Sequence, residues 1–261
     1  KPMTGGFFYP RKGFGQISDA LRARAEARDA RFELDAAVSA VEHKDGKVTA
    51  VRWKRGDTET RVESDVVWST LPITALVKMM DPPAPPEVAA AAARIRYRGM
   101  ILIYLVLETQ QFTEYDAHYF PEIAVPISRL SEPLYFSAST EPQGVTILCA
   151  ELPCDPHEPL WALSDDELGA KLCEWLGGVG LPVTAKVRAT HTRRLGYAYP
   201  VYDRSFEADL AVMDKWIEGF TGLLTFGRQG LFAHDNTHHA LAMAHGAVDC
   251  LRPDGSFDTA K

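Results

Sequence analysis

The chain has no apolar run that could cross a bilayer: the longest, MILIYLVL at 100–107, has eight residues, against about 20 for a spanning helix. It has no basic excess either. Its 28 Lys and Arg are outnumbered by 35 Asp and Glu, for a net charge of −7. No basic stripe recurs in any segment, which excludes the electrostatic footprint of a nucleic-acid binder. Cysteine is scarce, and Cys149, Cys154, Cys173 and Cys250 show no C-x-x-C spacing. A chain this long and this poor in cysteine is not a disulfide framework. The four read as reduced, mostly buried thiols of a cytoplasmic protein. No Ser-His-Asp or Cys-His arrangement stands out, and the FSAS run around Ser137 lacks the G-x-S-x-G elbow. There is no P-loop, internal repeat or low-complexity stretch. No signal peptide is visible; because the first residue is Lys1, the start of the protein is expected upstream.

What is present is 261 residues at 46% hydrophobic, enough for one large domain or two modest ones. Ile17, Ala20, Leu21 and Ala25 give a helical stripe after a Gly-containing turn. Residues 31–53 read as β, with Asp45-Gly46 as the hairpin turn. A short buried strand over 65–72 stops at Pro72, and a brief helix follows through Ile73, Leu76, Val77 and Met80. The DPPAPPE stretch at 81–87 is the clearest break, a stiff spacer before an Ala-rich helix at 86–94. A strand at 99–108 is apolar throughout, which predicts cover on both faces. Three further antiparallel strands are expected within 119–130, 133–139 and 145–153. Ser164 with Glu167 predicts a capping box, with Leu168, Leu172, Trp175 and Leu176 on the core face of the helix it starts. A strand after 184, a helix through Phe206, Leu210, Met213, Ile217 and Phe220, and a buried strand at 222–227 come next.

The chemistry concentrates in TFGRQGLFAHDNTHHALAMAHGAVDCL, residues 225–251. A strand ends at Gly227, a Gly-containing turn follows, and Asn236 or Thr237 caps a helix running through Leu241, Ala244, Val248 and Leu251. The first turn of a helix carries unpaired N–H groups and partial positive charge, which suits an anion or a polar ring. Ala240, Ala242, Ala244 and Gly246 keep that helix thin, so a flat ligand could approach backbone. Arg228 could pair with a phosphate.

These residues carry a resemblance. GRQGLFAHDNTHHALAMAHGA is similar to the C-terminal FAD signature of the flavin amine oxidase, protoporphyrinogen oxidase and UDP-galactopyranose mutase superfamily. YPRKGFGQISDALRARA resembles that superfamily's YP-x-x-G segment and the helix after it. FELDAAVSAVEHKDGKVTAV resembles the strand pair that follows, in which the position of Val38 meets the adenine end. SDVVWSTLP resembles the strand beside the cofactor, which places Thr70 there. YPVYD at 199–203 and FPEIAVPISRLSEP at 120–133 look like substrate-domain segments. The resemblance covers nearly the whole chain, in the superfamily's order.

Two departures matter. The superfamily's βαβ unit with G-x-G-x-x-G is absent, since Gly13-Phe14-Gly15 continues to Gln16-Ile17-Ser18. The chain therefore reads as the C-terminal two-thirds of a flavoprotein, one that holds FAD weakly or not at all. The aromatic often found two places before the Asn is His234 here.

The resemblance implies an α/β remnant of a Rossmann-like FAD-binding domain at 1–80 and 221–252, and an α+β substrate domain at 87–220 on a mostly antiparallel sheet. It implies FAD contacts at Val38, Thr70, Gly227, Arg228, Asn236, His238 and Ala240, and substrate contacts at Arg129, Tyr199 and Tyr202. Arg129 equally suits an ion pair with Glu122 or Glu132. The cluster His234, Asp235, His238 and His239 admits three readings: metal ligands, surface or capping histidines, or a flavin edge. Adjacent His238 and His239 would point about 100° apart on a helix, which disfavours metal, and none is expected. The expected function is FAD-dependent oxidation of a small organic substrate by hydride or electron transfer to flavin. The alternatives are a flavin-dependent UDP-sugar mutase, drawing on Arg129, Arg193 and Arg194, and a cofactor-free binding module. A homo-oligomer is compatible with all three.

Overall fold

The computed structural model describes residues 8–136, 141–252 and 256–258. Along the chain run α1 (Gln16–Glu26), β1 (Ala37–Lys44), β2 (Lys47–Arg55), β3 (Thr58–Glu63), β4 (Val67–Ser69), α2 (Ile73–Met79), β5 (Met80–Asp81), α3 (Pro86–Arg94) and β6 (Tyr97–Leu107). Then come β7 (Ala117–Tyr119), β8 (Arg129–Ser131), β9 (Thr146–Pro153), α4 (Asp165–Gly178), β10 (Val187–Pro200), α5 (Phe206–Ile217), β11 (Leu223–Thr225), α6 (Gly227–Gly230) and α7 (Thr237–Cys250). The fold mixes helices with mostly antiparallel sheets, and the chain divides into two compact units. One takes the chain up to Phe32 together with Arg98–Ala198; the other takes Glu33–Tyr97 and the segment from Tyr199 onward.

The second of these units is built on a sheet of order β3-β2-β1-β5. Asp45 and Gly46, at φ +50° and +73°, make the β1–β2 turn. Both positions are left-handed, as a two-residue hairpin turn that matches strand twist requires. β3 pairs with β2 from Ala50↔Glu63 to Arg55↔Thr58. Every β3 residue except Thr60 is exposed, so the strand has no apolar face to reveal it in the sequence. β5 joins β1 in parallel at Val41↔Met80. The proline stretch after it does not separate domains. It links β5 to α3 within one unit, with Pro86 in the first turn of α3, where the missing N–H costs nothing. The core gathers Val41, Val48, Ile73, Leu76, Met213 and Ile217. α5 thus belongs with the hairpin, because Met213 and Ile217 fill that core.

The other unit carries a five-stranded sheet of order β10-β6-β9-β8-β7. Ile101, Ile103, Leu105 and Leu107 of β6 and Leu148, Ala150 and Leu152 of β9 are wholly buried against Leu168, Leu172 and Leu176 of α4. Each such leucine contributes about 1.5–3 kcal/mol of apolar transfer. The capping box forms: Ser164 N–H donates to Glu167 Oε2 at 2.8 Å and Glu167 N–H donates to Ser164 Oγ at 3.3 Å. β6 is not covered on both faces, since Leu102, Tyr104 and Val106 are only half-buried. Pro133–Phe136 is a 3-10 turn rather than a strand, because Pro133 cannot donate to a ladder. Residues 137–140, which hold the rest of that expected strand and the FSAS serines, lie outside the described residues. α1 forms as expected but buries none of its residues; Leu21 is 54% exposed.

The unit boundaries fall at 32/33, 97/98 and 198/199. The sequence reading placed them within 80–87 and at 220–221.

Candidate functional site

β4 and β11 run parallel, with Val67, Trp68 and Ser69 opposite Leu223, Leu224 and Thr225. Both strands end on the same side. Phe226 N–H donates to the Ser69 carbonyl at 3.0 Å, and the chain turns into α6 at Gly227, whose φ is +79°. A Cβ at Gly227 would lie 3.7 Å from Thr70 Cγ2, so the structure sets Thr70 and Gly227 side by side. At Gly230 a Cβ would come within 2.7 Å of Thr225 Oγ1 and 3.4 Å of the Ser69 carbonyl. The close approach read from these glycines includes one to the protein's own strand ends. Ligands of open parallel sheets lie outside the carboxyl ends of the strands, which is where Thr70 and Gly227 meet.

After α6 the chain is held by side chains of its own unit. Leu231 N–H donates to the Gly227 carbonyl at 3.0 Å and Ala233 N–H to the Arg228 carbonyl at 2.9 Å. Between them Phe232 is buried with φ +50°, a left-handed conformation that costs a non-glycine residue on the order of 1 kcal/mol. Its ring meets Tyr97, Tyr202 and Phe206 at centroid distances of 5.1, 5.6 and 5.9 Å. The Tyr202 hydroxyl donates to the Phe232 carbonyl at 3.1 Å and accepts the His234 N–H at 2.9 Å. Arg228 Nη1 donates to the Asp235 carbonyl at 2.6 Å, and its guanidinium lies 5.0 Å over the Tyr199 ring. Tyr199 in turn meets the His234 ring edge-on at 5.1 Å.

Asn236 begins α7 in extended conformation, and its N–H donates to His239 Nδ1 at 3.2 Å. The N–H groups of Thr237 and His238 find no acceptor among the described residues. They stand at the positive end of a 14-residue helix. The apolar stripe of this helix is bare: Leu241, Val248 and Leu251 are 38%, 56% and 41% exposed, and Ala247 alone on this helix is buried. The small residues Ala242 and Gly246 are exposed as well.

The sequence-derived site residues therefore separate. Thr70 and Gly227 touch. Arg228, Tyr199 and Tyr202 gather on the loop that leads to Asn236, His238 and Ala240. Val38 lies half-buried on β1 opposite Trp53, in a different sheet from β4, which Thr70 follows. Arg129 lies in the other unit, paired with Glu151 across the β8–β9 register. Its partner is neither Glu122 nor Glu132. Glu132 is buried and accepts the Thr146 hydroxyl at 2.6 Å. Arg194 donates to the carbonyls of Trp161 and Leu163 and to the Thr192 hydroxyl. Burial pushes the thiols of Cys149, Cys154 and Cys173 above their ordinary range, which disfavours the thiolate form. Among the described residues no group of three or more His, Cys, Asp or Glu gathers for a metal. The bridging role of Tyr202 escaped sequence reading, which had assigned that residue to substrate; a tyrosine some 30 positions from its partners leaves no local pattern.

Two strand ends feeding a helix N-terminus with free backbone donors coincide with a sequence-wide match. A family model described as flavin-containing amine oxidoreductase matches residues 1–249. The chain belongs to that family. No curated sequence matches this family member, but solved structures share its fold. A reduced UDP-galactopyranose mutase is 18% identical with a TM-score of 0.77, over 92% of this chain and 51% of the other. A candidate protoporphyrinogen oxidase from Exiguobacterium sp. 255-15 is 17% identical with a TM-score of 0.66, over 95% and 52%. A fatty acid isomerase from P. acnes that produces CLA is 16% identical with a TM-score of 0.60, over 91% and 51%. This family member spans about half the length of those chains.

FAD is the cofactor that such membership implies, and the site can be tested against it. Thr237 and His238 offer two backbone donors, the following helix is thin and uncovered, and the strand ends at Thr70 and Gly227 leave no bulky side chain between them. These residues fit the edge of a flat polar ring. Arg228 fits a phosphate less well, since one nitrogen is committed to Asp235.

Proposed function

We propose that this chain is part of an FAD-dependent oxidoreductase that oxidises a small organic substrate. The adjacency of Thr70 and Gly227 at the ends of β4 and β11, followed by the open N-terminus of α7, carries this reading. In it Gly227 and Thr70 bound one edge of the cofactor, and the N–H groups of Thr237 and His238 hold negative charge at the ring. Asn236, His238 and Ala240 shape the wall there, and Arg228 and Tyr199 hold the loop before it. Val38 contacts the adenine end. Bound flavin supplies acceptance of hydride or electrons; the protein supplies orientation and exclusion of water. No helix among the described residues is long and apolar enough to cross a membrane. The four free cysteines suit a reducing, cytoplasmic setting.

A second reading, a flavin-dependent sugar mutase, draws on the likeness to the UDP-galactopyranose mutase fold. It would need arginines free to meet a nucleotide diphosphate, whereas Arg129 pairs with Glu151 and Arg194 is spent on backbone carbonyls. Titration of the purified chain with FAD, followed by flavin fluorescence anisotropy, tests the main reading. Saturable binding that weakens when Gly227 is replaced by Val is expected. An anisotropy that stays flat throughout the titration would count against cofactor contacts by this chain's own residues and favour the cofactor-free binding module.

A further inference from the structure

The two tyrosines assigned to substrate by resemblance have other work in the structure. The Tyr202 hydroxyl has one proton to give and lone pairs to receive. The proton goes to the Phe232 carbonyl at 3.1 Å, and a lone pair takes the His234 N–H at 2.9 Å. These two backbone groups flank the part of the chain that most needs restraint. Phe232 sits at φ +50°, which an L-residue holds only when its surroundings insist. The Tyr202 ring also packs against Phe206 at 4.8 Å and Phe232 at 5.6 Å, so the hydroxyl is delivered from a fixed platform. Three residues beyond His234, α7 begins, with the Thr237 and His238 N–H groups open.

We infer that Tyr202 is a positioning residue for the cofactor: by bridging Phe232 and His234 it aims the N-terminus of α7, and with it the donors of Thr237 and His238, at the flavin. The inference rests on the functional reading above and deepens it. In this role Tyr202 acts through the backbone it holds rather than by its own contact with substrate or cofactor. It fixes the direction in which a helix end presents its charge. The Arg228–Tyr199–His234 stack, with separations of 5.0 and 5.1 Å, restrains the same loop from the His234 ring and the Asp235 carbonyl.

Tyr202→Phe keeps the ring and removes the bridge. FAD affinity, the flavin midpoint potential and backbone hydrogen exchange over 232–239 are measured on the full chain, with Tyr115→Phe, an exposed tyrosine of the other unit, as control. Loss of the bridge should weaken FAD binding on the order of tenfold. The potential should become more negative, because reduced anionic flavin loses an aligned positive helix end, and exchange should speed up over 232–239. If wild type binds FAD and Tyr202→Phe binds it equally well at the same potential, this inference fails and the functional reading survives. Weaker binding at an unchanged potential also overturns it, since a merely structural tyrosine would do that. A wild-type chain that binds no FAD overturns the inference, because α7 then presents its N-terminus to no flavin.

Discussion

Arg94 lays its guanidinium fork on Asp209, with Nε 3.0 and 3.1 Å from the two carboxylate oxygens. The pair joins α3 to α5 across 115 residues of sequence. Asp209 is only 6% exposed while the arginine side chain reaches solvent. A buried carboxylate left without its partner is costly, whereas replacing both charges by apolar groups of similar size is often neutral. Arg94→Met should therefore lower the urea midpoint clearly, and Arg94→Met with Asp209→Leu should recover much of the loss. A double variant no better than the single would show that the two residues are not coupled.

Gly222 is the tightest point of the β4–β11 junction. Its φ is +81° and a Cβ would lie 2.2 Å from the Asp65 carbonyl oxygen. Gly222→Ala combines backbone strain with overpacking and should cost about 2–4 kcal/mol. Gly56 has φ +57° but nothing within 4 Å of a Cβ, so Gly56→Ala should cost only about 1–2 kcal/mol. Chemical denaturation of both variants gives the comparison. Equal losses would mean that crowding at Asp65 is relieved by a small backbone shift.

Leu172 sits in the middle of the α4 stripe with no exposed surface. Leu172→Ala should destabilise by about 2–5 kcal/mol, read from unfolding midpoints at unchanged slope.

Acid should loosen the β6–β9 edge near Arg98. Burial alone would raise the Asp155 carboxyl, but the Gly99 N–H at 2.7 Å and the Arg98 guanidinium outweigh it and hold it below its ordinary value. The hydrogen bond from Arg98 holds Glu158 down likewise. A carboxylate with a depressed folded pKa stabilises fully above its unfolded value, about 4. That contribution fades as pH falls through the folded value. Stability should thus drop with pH below about 4, and Asp155→Asn should flatten the drop. An identical pH profile in the variant would exclude Asp155 as a contributor.

Features with a local cause were legible in the sequence. The Asp45-Gly46 turn needs two left-handed residues and has the pair that tolerates them. Ser164 and Glu167 satisfy each other three residues apart, and Pro86 opens α3 where its missing N–H is harmless. Features set by distant partners were not. β3 is held by its ladder to β2 and by charge pairs such as Arg61 with Glu42 at 2.9 Å, and it offers no apolar alternation. α5 carries a proper stripe, but a stripe does not say which core it joins. The Leu241, Ala244, Val248 and Leu251 stripe of α7 has helical spacing too, yet its large members are exposed, because spacing marks a face without naming what lies on it. At the site, the residue types around Gly227 and Asn236 marked the stretch in which Gly227 lies beside Thr70. The work done there by Tyr199 and Tyr202 depends on a loop some 30 positions away.

The meeting of β4 with β11 has a consequence for how the protein is made. Ser69 and Thr70 leave the ribosome well before Phe226 and Gly227, so this edge stays unzipped while the intervening chain is made. Closing so long a loop is slow, and until it closes β4 has no neighbour on that side. Whatever shields a growing chain from its fellows must cover this seam until β11 arrives.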